Sequence, residues 1–215
     1  MGTRLSLVDS PPVNGYQPAF PQWLQKFGSI TMSRVVFIFG VLVAWAASAL
    51  TLQQLSLDQM TQSATAIVRA RVVGTSTSFT GSTIYTHYKL QATETWKGAA
   101  PAEVMLPGGI ANGYRQSIPG VPALTVGTEY VLFLWTSSQT GITHLLGMSQ
   151  GLFYLNAQSD GTTLATRPLV GELMLDANGR RVADQAINMN LTDLRTRVGQ
   201  TAARPVSVVN RGTVK

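Results

Sequence analysis

His87 and His144 are the whole imidazole complement of this 215-residue chain, and the chain has no cysteine. His144 stands just ahead of Gly147-Met148-Ser149-Gln150-Gly151, whose letters match Gly-x-Ser-x-Gly, and Asp160 lies downstream. Serine, histidine and an acid are the types that supply a nucleophile, its base and the group that orients the base. The Gly-x-Ser-x-Gly pattern performs that chemistry on a sharp strand-to-helix turn of an α/β hydrolase. Here short apolar strand candidates lie on both sides and no helical pattern follows Gly151, so a β-turn is expected and no catalytic residue is nominated. A small hydrolase-like or polysaccharide-acting domain using Ser149 and His144 stays as the alternative reading.

Other chemistries are less well supplied. Zinc needs three or four ligands, which with two histidines requires carboxylates such as Glu94 or Glu103, and no spacing brings these together. His87 alternates with Tyr85, Lys89 and Gln91 and reads as solvent-facing. Paired carboxylates of the glycosidase kind cannot be nominated from Glu94, Glu103 and Glu129, which fall on separate elements. Pro107-Gly108-Gly109 lacks the spacing and the following helix of a phosphate loop. Neither a metal nor a cofactor is expected.

Recognition is better represented. From Pro107 to Gly127 the chain carries glycines 108, 109, 113, 120 and 127 and prolines 107, 119 and 122. Connections of this length are uncommon in compact domains unless they are functional or disordered. Tyr114 and Arg115 near its middle are side-chain types that anchor contacts with a partner. Tyr114, Arg115, Gly108 and Gly109 are therefore the binding candidates. The competing reading lays the loop flat on the domain with Tyr114 as its plug.

The elements that must position these residues read as mainly β. Ser56-Leu57-Asp58-Gln59 fits a capping box and opens a short helix to about Ser63, with Leu57 and Met60 inward. Thr65 to Val73 alternates, Val68, Ala70 and Val72 on one face and Ile67, Arg69 and Arg71 on the other. The small polar residues Thr75 to Gly81 are expected to turn the chain. A second strand follows, with Ile84, Tyr88, Leu90, Ala92 and Trp96 on one face, ending at Lys97-Gly98. Glu103–Leu106 is a third strand. Tyr130–Trp135 is apolar on both faces, as a doubly covered central strand requires. Short strands are expected over 142–146, 151–155 and 162–166. A capped helix of about two turns runs from Asn190 to Val198, with Leu191, Leu194 and Val198 on one face. Five to seven short strands with a helix near each end are most economically closed into a small antiparallel barrel, OB-like and closed or partly open, with a sandwich as the runner-up.

The compartment is read from the front of the chain. Met32-Ser33-Arg34 precedes an apolar run from Val35 to Ala47, and Ala47-Ser48-Ala49 is a small-residue cleavage pattern. Cleavage between Ala49 and Leu50 would deliver the domain outside the cytoplasm, secreted or periplasmic. The run is shorter than the roughly 20 apolar residues of a spanning helix. A retained single-pass signal anchor, oriented by Arg4, Lys26 and Arg34, is the alternative and the one route to a membrane. The expected division is an irregular extension over 1–31 that fits a misassigned start, a signal peptide over 32–49, a β-domain over 50–199 and a disordered basic tail over 200–215. Without cysteine the domain has no disulfides, thiol catalysis or Cys-based metal site, so burial alone must hold it. Of the net charge of +6, an excess of +4 lies from Arg167 onward, where eight basic residues face four acidic ones, but no aromatic residue follows Tyr154 to stack on a single strand. No nucleic-acid partner is expected, and the partner envisaged is an extracytoplasmic protein.

The stretch Ser63-Ala-Thr-Ala-Ile-Val-Arg-Ala-Arg-Val-Val73, followed later by Trp96-Lys97-Gly98, resembles the opening of metalloproteinase-inhibitor and netrin-like domains. That resemblance, over roughly a quarter of the chain after the signal run, implies an OB-type barrel. Those inhibitors chelate the protease zinc through an N-terminal cysteine, which this chain lacks, so inhibition by that route does not carry over. Gly120-Val121-Pro122, Gly127 to Leu134 and Ser149 to Phe153 are also similar to uncharacterised secreted bacterial proteins, a likeness that brings no activity with it. The function expected is a secreted or periplasmic, non-enzymatic module that binds a protein, a protease among the candidates, through the 107–127 loop.

Overall fold

The computed structural model describes residues 51–204. The signal run, its cleavage after Ala49 and the tail from residue 205 lie outside the described residues. Among the described residues no helix is long and apolar enough to cross a membrane.

The order begins with strand β1 (Thr51–Gln53) and helix α1 (Leu57–Ser63). The capping box forms as its letters require: Gln59 N donates to Ser56 Oγ at 3.2 Å, and Ser56 N to Gln59 Oε1 at 2.8 Å. Two long strands follow, β2 (Ala66–Thr80) and β3 (Thr83–Lys97), paired antiparallel through a turn at Gly81-Ser82. The turn expected over Thr75–Gly81 is therefore strand almost to its end. Threonine favours a pleated, half-buried surface, and Thr77 faces Thr86 while Phe79 faces Ile84 across the pair. Register shifts at Ile67/Val68, Arg69/Ala70 and Val72/Gly74 re-aim the side chains along the hairpin. One result is that Trp96 joins a different apolar cluster from Tyr88 and Leu90, although alternation had placed all three on one face.

Next come β4 (Glu103–Pro107), β5 (Gly109–Ala111), β6 (Tyr114–Gln116), β7 (Glu129–Thr136), β8 (Thr143–Leu145), a 3₁₀ turn (Met148–Gly151), β9 (Leu152–Ala157) and β10 (Thr163–Arg167). The chain closes with β11 (Leu173–Leu175), β12 (Arg181–Val182), β13 (Ile187–Asn190) and helix α2 (Leu191–Ala202). Asn190 occupies the cap position without a side-chain cap bond. The helix runs past its expected end at Val198 to Ala202, into the start of the expected tail. Its last turn is held by Thr201, which is buried and donates to Asp58 Oδ1 at 3.2 Å.

Eight strands share one sheet in the order β13-β10-β9-β7-β2-β3-β4, with β8 also on β7. β1, β11 and β12 make a separate three-stranded sheet in which β1 and β11 run parallel. β7 is central and covered on both sides, as expected. Tyr130, Leu132 and Leu134 face one apolar cluster with Val68, Val72, Tyr88 and Val104, while Val131 and Phe133 face another with Met60 and Leu57 of α1 and Leu194 and Val198 of α2. The large sheet is antiparallel and its ladder is open, ending at β13 and β4. β4 and β8 share no ladder; His144 Nδ1 on β8 instead donates to the Met105 carbonyl on β4 at 2.9 Å.

Trp96-Lys97-Gly98, part of the family likeness, has a local structural role. Lys97 Nζ donates to the carbonyls of Thr61 and Gln62 at 2.7 and 2.9 Å, capping the end of α1. A side chain at Gly98 would put its Cβ 2.0 Å from the Thr65 carbonyl oxygen.

Candidate functional site

The connection from Pro107 to Gly127 contains a hairpin of its own. β5 and β6 pair antiparallel, and Asn112 and Gly113 between them both have positive φ, 49° and 80°. Two such residues in succession build the tight turn whose twist suits a hairpin, and Asn-Gly is its commonest sequence. Ile110-Ala-Asn-Gly-Tyr114 therefore carried a signal that the sequence reading did not use.

This hairpin is fastened to the β2–β3 pair through polar groups. Thr77 Oγ1 donates to Ile110 O at 2.8 Å, Thr86 Oγ1 to Gly108 O at 2.8 Å, and Ile84 N to Gln116 Oε1 at 2.7 Å. Gly109, with φ of 132°, lies so close to β3 that a Cβ would stand 2.4 Å from Thr86 Oγ1. Gly108 and Gly109 thus serve by letting the loop approach.

Tyr114 is not a plug. It is 69% exposed, against Phe79 from the end of β2 at 41%, whereas Ile110, at 51%, is the register partner of Arg115 on the other face of the hairpin. Its ring meets Phe79 edge-on, centroids 6.4 Å apart. Arg115 is exposed next to it. The loop residue that enters the core is Leu124, with Val121 packed against the same cluster. Phe79 and Ile110 were missed in sequence because Phe79 fell in the supposed turn and Ile110 looked like an isolated apolar residue.

Two cavities open beneath the loop, and Leu106, Pro107, Val121 and Pro122 line both. The smaller, about 180 Å³, is bordered by Gly108, Gly109 and Gln116. The larger, about 320 Å³, is bordered by Tyr85, His144 and Met148. A carbonyl only accepts, so the bond to Met105 puts the His144 proton on Nδ1 and leaves Nε2 as an acceptor. Gly147 and Met148 both take left-handed backbone, φ 62° and 60°, a conformation that costs a non-glycine residue roughly 1–2 kcal/mol.

The structure does not bring Ser149, His144 and Asp160 together. His144 is engaged by Met105, Asp160 Oδ1 accepts from Thr162, and Ser149 Oγ is buried without a hydrogen-bond partner. Residues 143–154 run along one edge of β7, and Gly147–Gly151 is an excursion in that path. The excursion places Gln150, fully buried, where its Oε1 accepts from Leu55 N at 2.9 Å and its Nε2 donates to Gln53 O at 3.0 Å. Gly151 is required because a Cβ there would lie 2.5 Å from the Leu146 carbonyl oxygen.

Two carboxylates that the sequence left apart do converge. Arg69 binds Glu94 at 3.0 Å and Glu129 at 2.8 Å, and Glu94 also takes Arg195 of α2 at 3.3 Å. Glu94 is held below the ordinary glutamate value, first by the Trp96 indole N–H and then, against burial, by Arg69 and Arg195. For Glu129 burial is the largest influence and pushes upward, yet the Thr93 hydroxyl and Arg69 outweigh it and the net direction is down. Carboxylates stabilised in the ionised form are poor general acids, so this cluster binds strands to helix.

His87 points away from the cluster of Tyr88 and Leu90, but its side chain is only 19% exposed, because it has partners. Its Nε2 lies 2.7 Å from Ser78 Oγ and its Nδ1 3.2 Å from Glu103 Oε1. Among the described residues no group of three or more His, Asp or Glu side chains is placed to hold a metal ion. No protein-family model matches the chain, and no curated protein matches it.

Proposed function

We propose that this chain is an extracytoplasmic binding module, a partly open OB-like barrel that holds a protein partner at its 107–127 loop. Packing of β2, β3, β4 and β7 against one apolar cluster, with His144 bridging β8 to β4, supports the barrel reading. The run after Met32 supports export. The observation that carries the binding role is the exposed edge-on pair Phe79 and Tyr114, with Ile110 and Arg115 exposed together on the other face of the same hairpin. Two aromatic rings, an aliphatic side chain and a guanidinium are what protein hot spots are made of. The hairpin that presents them is fixed by side-chain bonds to β2 and β3, which lowers the ordering entropy lost on binding. Neither Ser149 nor His144 supports the hydrolase alternative, since neither is hydrogen-bonded to the other.

The test is capture from culture medium or periplasmic extract with the exported chain as bait. Tyr114→Ala with Arg115→Ala should release a partner that the wild type retains, at unchanged thermal stability. Retention of the same partner by the double variant would place the site elsewhere.

A further inference from the structure

We infer that Ser78, His87 and Glu103 form a nucleophile, base and orienting acid for acyl transfer from small activated esters. The three lie on adjacent strands β2, β3 and β4 and meet across the pleat. Ser76 and Met105 are the register partners of His87, so Ser78 and Glu103 reach the imidazole diagonally from either side. A carboxylate oxygen only accepts, so Nδ1 donates to Glu103, Nε2 is left as the acceptor, and the Ser78 hydroxyl donates to it. That polarity is the one a serine nucleophile requires. The site is partly accessible: Ser78 is half-buried, and the His87 and Glu103 side chains are 19% and 47% exposed.

The same face offers a seat for the acyl group. Ser78 is the register partner of Tyr85, and Tyr85 of Pro107. Both Tyr85 and Pro107 line the 320 Å³ cavity, with Leu106, Val121, Pro122 and Met148. Directly opposed strand residues stand about 5 Å apart, so a short apolar acyl chain seated in that cavity brings its carbonyl toward Ser78.

Ser78 Oγ attacks the ester carbonyl as His87 Nε2 takes the hydroxyl proton. The tetrahedral adduct collapses, the C–O bond to the alcohol breaks, and the proton passes from Nε2 to the departing alkoxide. Water then enters by the same route, its proton going to His87 Nε2 and its oxygen to the acyl carbon; the bond from that carbon to Ser78 Oγ breaks, and Nε2 returns the proton to Oγ as the acid leaves. Successive amides of a strand point to opposite edges, so no adjacent N–H pair converges on Ser78. Loss of one oxyanion donor lowers kcat about 10²–10³-fold, which limits the site to esters with good leaving groups and leaves peptides intact.

The exported chain is treated with a fluorophosphonate and, separately, with p-nitrophenyl acetate and butyrate. The label should map by peptide mass spectrometry to Ser78, and p-nitrophenolate release should fall at least tenfold, to the buffer rate, in Ser78→Ala. Glu103→Gln should lower release several-fold at unchanged melting temperature, and Ser149→Ala should leave it intact. Ser78→Cys, which keeps a nucleophile, should retain acylation and shows that the strand still folds. Equal release by Ser78→Ala and wild type, or labelling at another residue, would overturn the assignment. The assignment does not rest on the binding reading, because Tyr114 and Arg115 are not among the three residues that meet here.

Discussion

The two ends of the β2–β3 hairpin are built from the same strands and do different work. At the near end, Ala66–Arg71 pairs with β7 as well as β3, and helices α1 and α2 cover the outer side. Ile67 and Val68 are fully buried there, and Arg69, half-buried, is tied to β3, β7 and, through Glu94, to α2. At the far end β2 has passed beyond the β7 pairing, and the 107–127 loop lies against it instead. Phe79 is exposed there, and Ser78 and His87 are half-buried. One hairpin thus anchors the fold at one end and presents a surface at the other, with the register shift at Val72/Gly74 between them.

Removing a core side chain at the near end should separate the two ends most sharply. Phe133→Ala takes a fully buried ring from between the helices and should lower stability by about 3–5 kcal/mol, measured by denaturant unfolding. Gln150→Ala strands the Leu55 amide and the Gln53 carbonyl and should cost about 1–3 kcal/mol, with faster amide exchange over residues 53–57. Arg69→Ala should cost about 1–2 kcal/mol at neutral pH, and that difference should depend on pH. Glu94 and Glu129 are lowered in the folded state, so their stabilisation is complete above the unfolded glutamate value and is lost as pH falls through the folded values. The gap between wild type and Arg69→Ala should be full above about pH 5 and shrink progressively below about pH 4; a gap that widened on acidification would break the ion-pair account. At the far end, Phe79→Ala and Tyr114→Ala should change stability by no more than about 0.5 kcal/mol while partner capture is lost. A large stability loss there would make the exposed rings structural and erase the contrast between the ends.

Some of this was legible in the sequence. Tyr130–Trp135 announced a doubly buried strand because both faces were apolar, and Ser56 with Gln59 announced α1 because the cap is a local hydrogen-bond exchange. The limits of β2 were not legible, since a run of Thr and Ser reads as a turn when the partner strand is unknown. That the ladder stays open, with β8 and β4 joined by the His144 bond to Met105 and by no ladder, is a tertiary outcome that strand counting could not decide. Site residues split the same way. Tyr114 and Arg115 stood out by type, and Asn112-Gly113 would have framed them. Ser78 and Glu103 could not be joined to His87, because which residues meet it is decided by register, and register was set by an unforeseen shift at Val72/Gly74.

Ser149 carries a consequence for the fold's freedom to vary. Its hydroxyl is dry and has no partner, so replacing it with alanine removes a buried polar group without breaking a bond and should leave stability unchanged or slightly raised. Its neighbours have no such latitude: Gln150 completes two backbone contacts with its side chain, and Gly151 has carbonyl oxygens where a Cβ would go. Distant chains built on the same plan are expected to drift at position 149 while keeping Gln-Gly after it, so the serine that looks most like chemistry is the letter of that pentapeptide least useful for tracing descent.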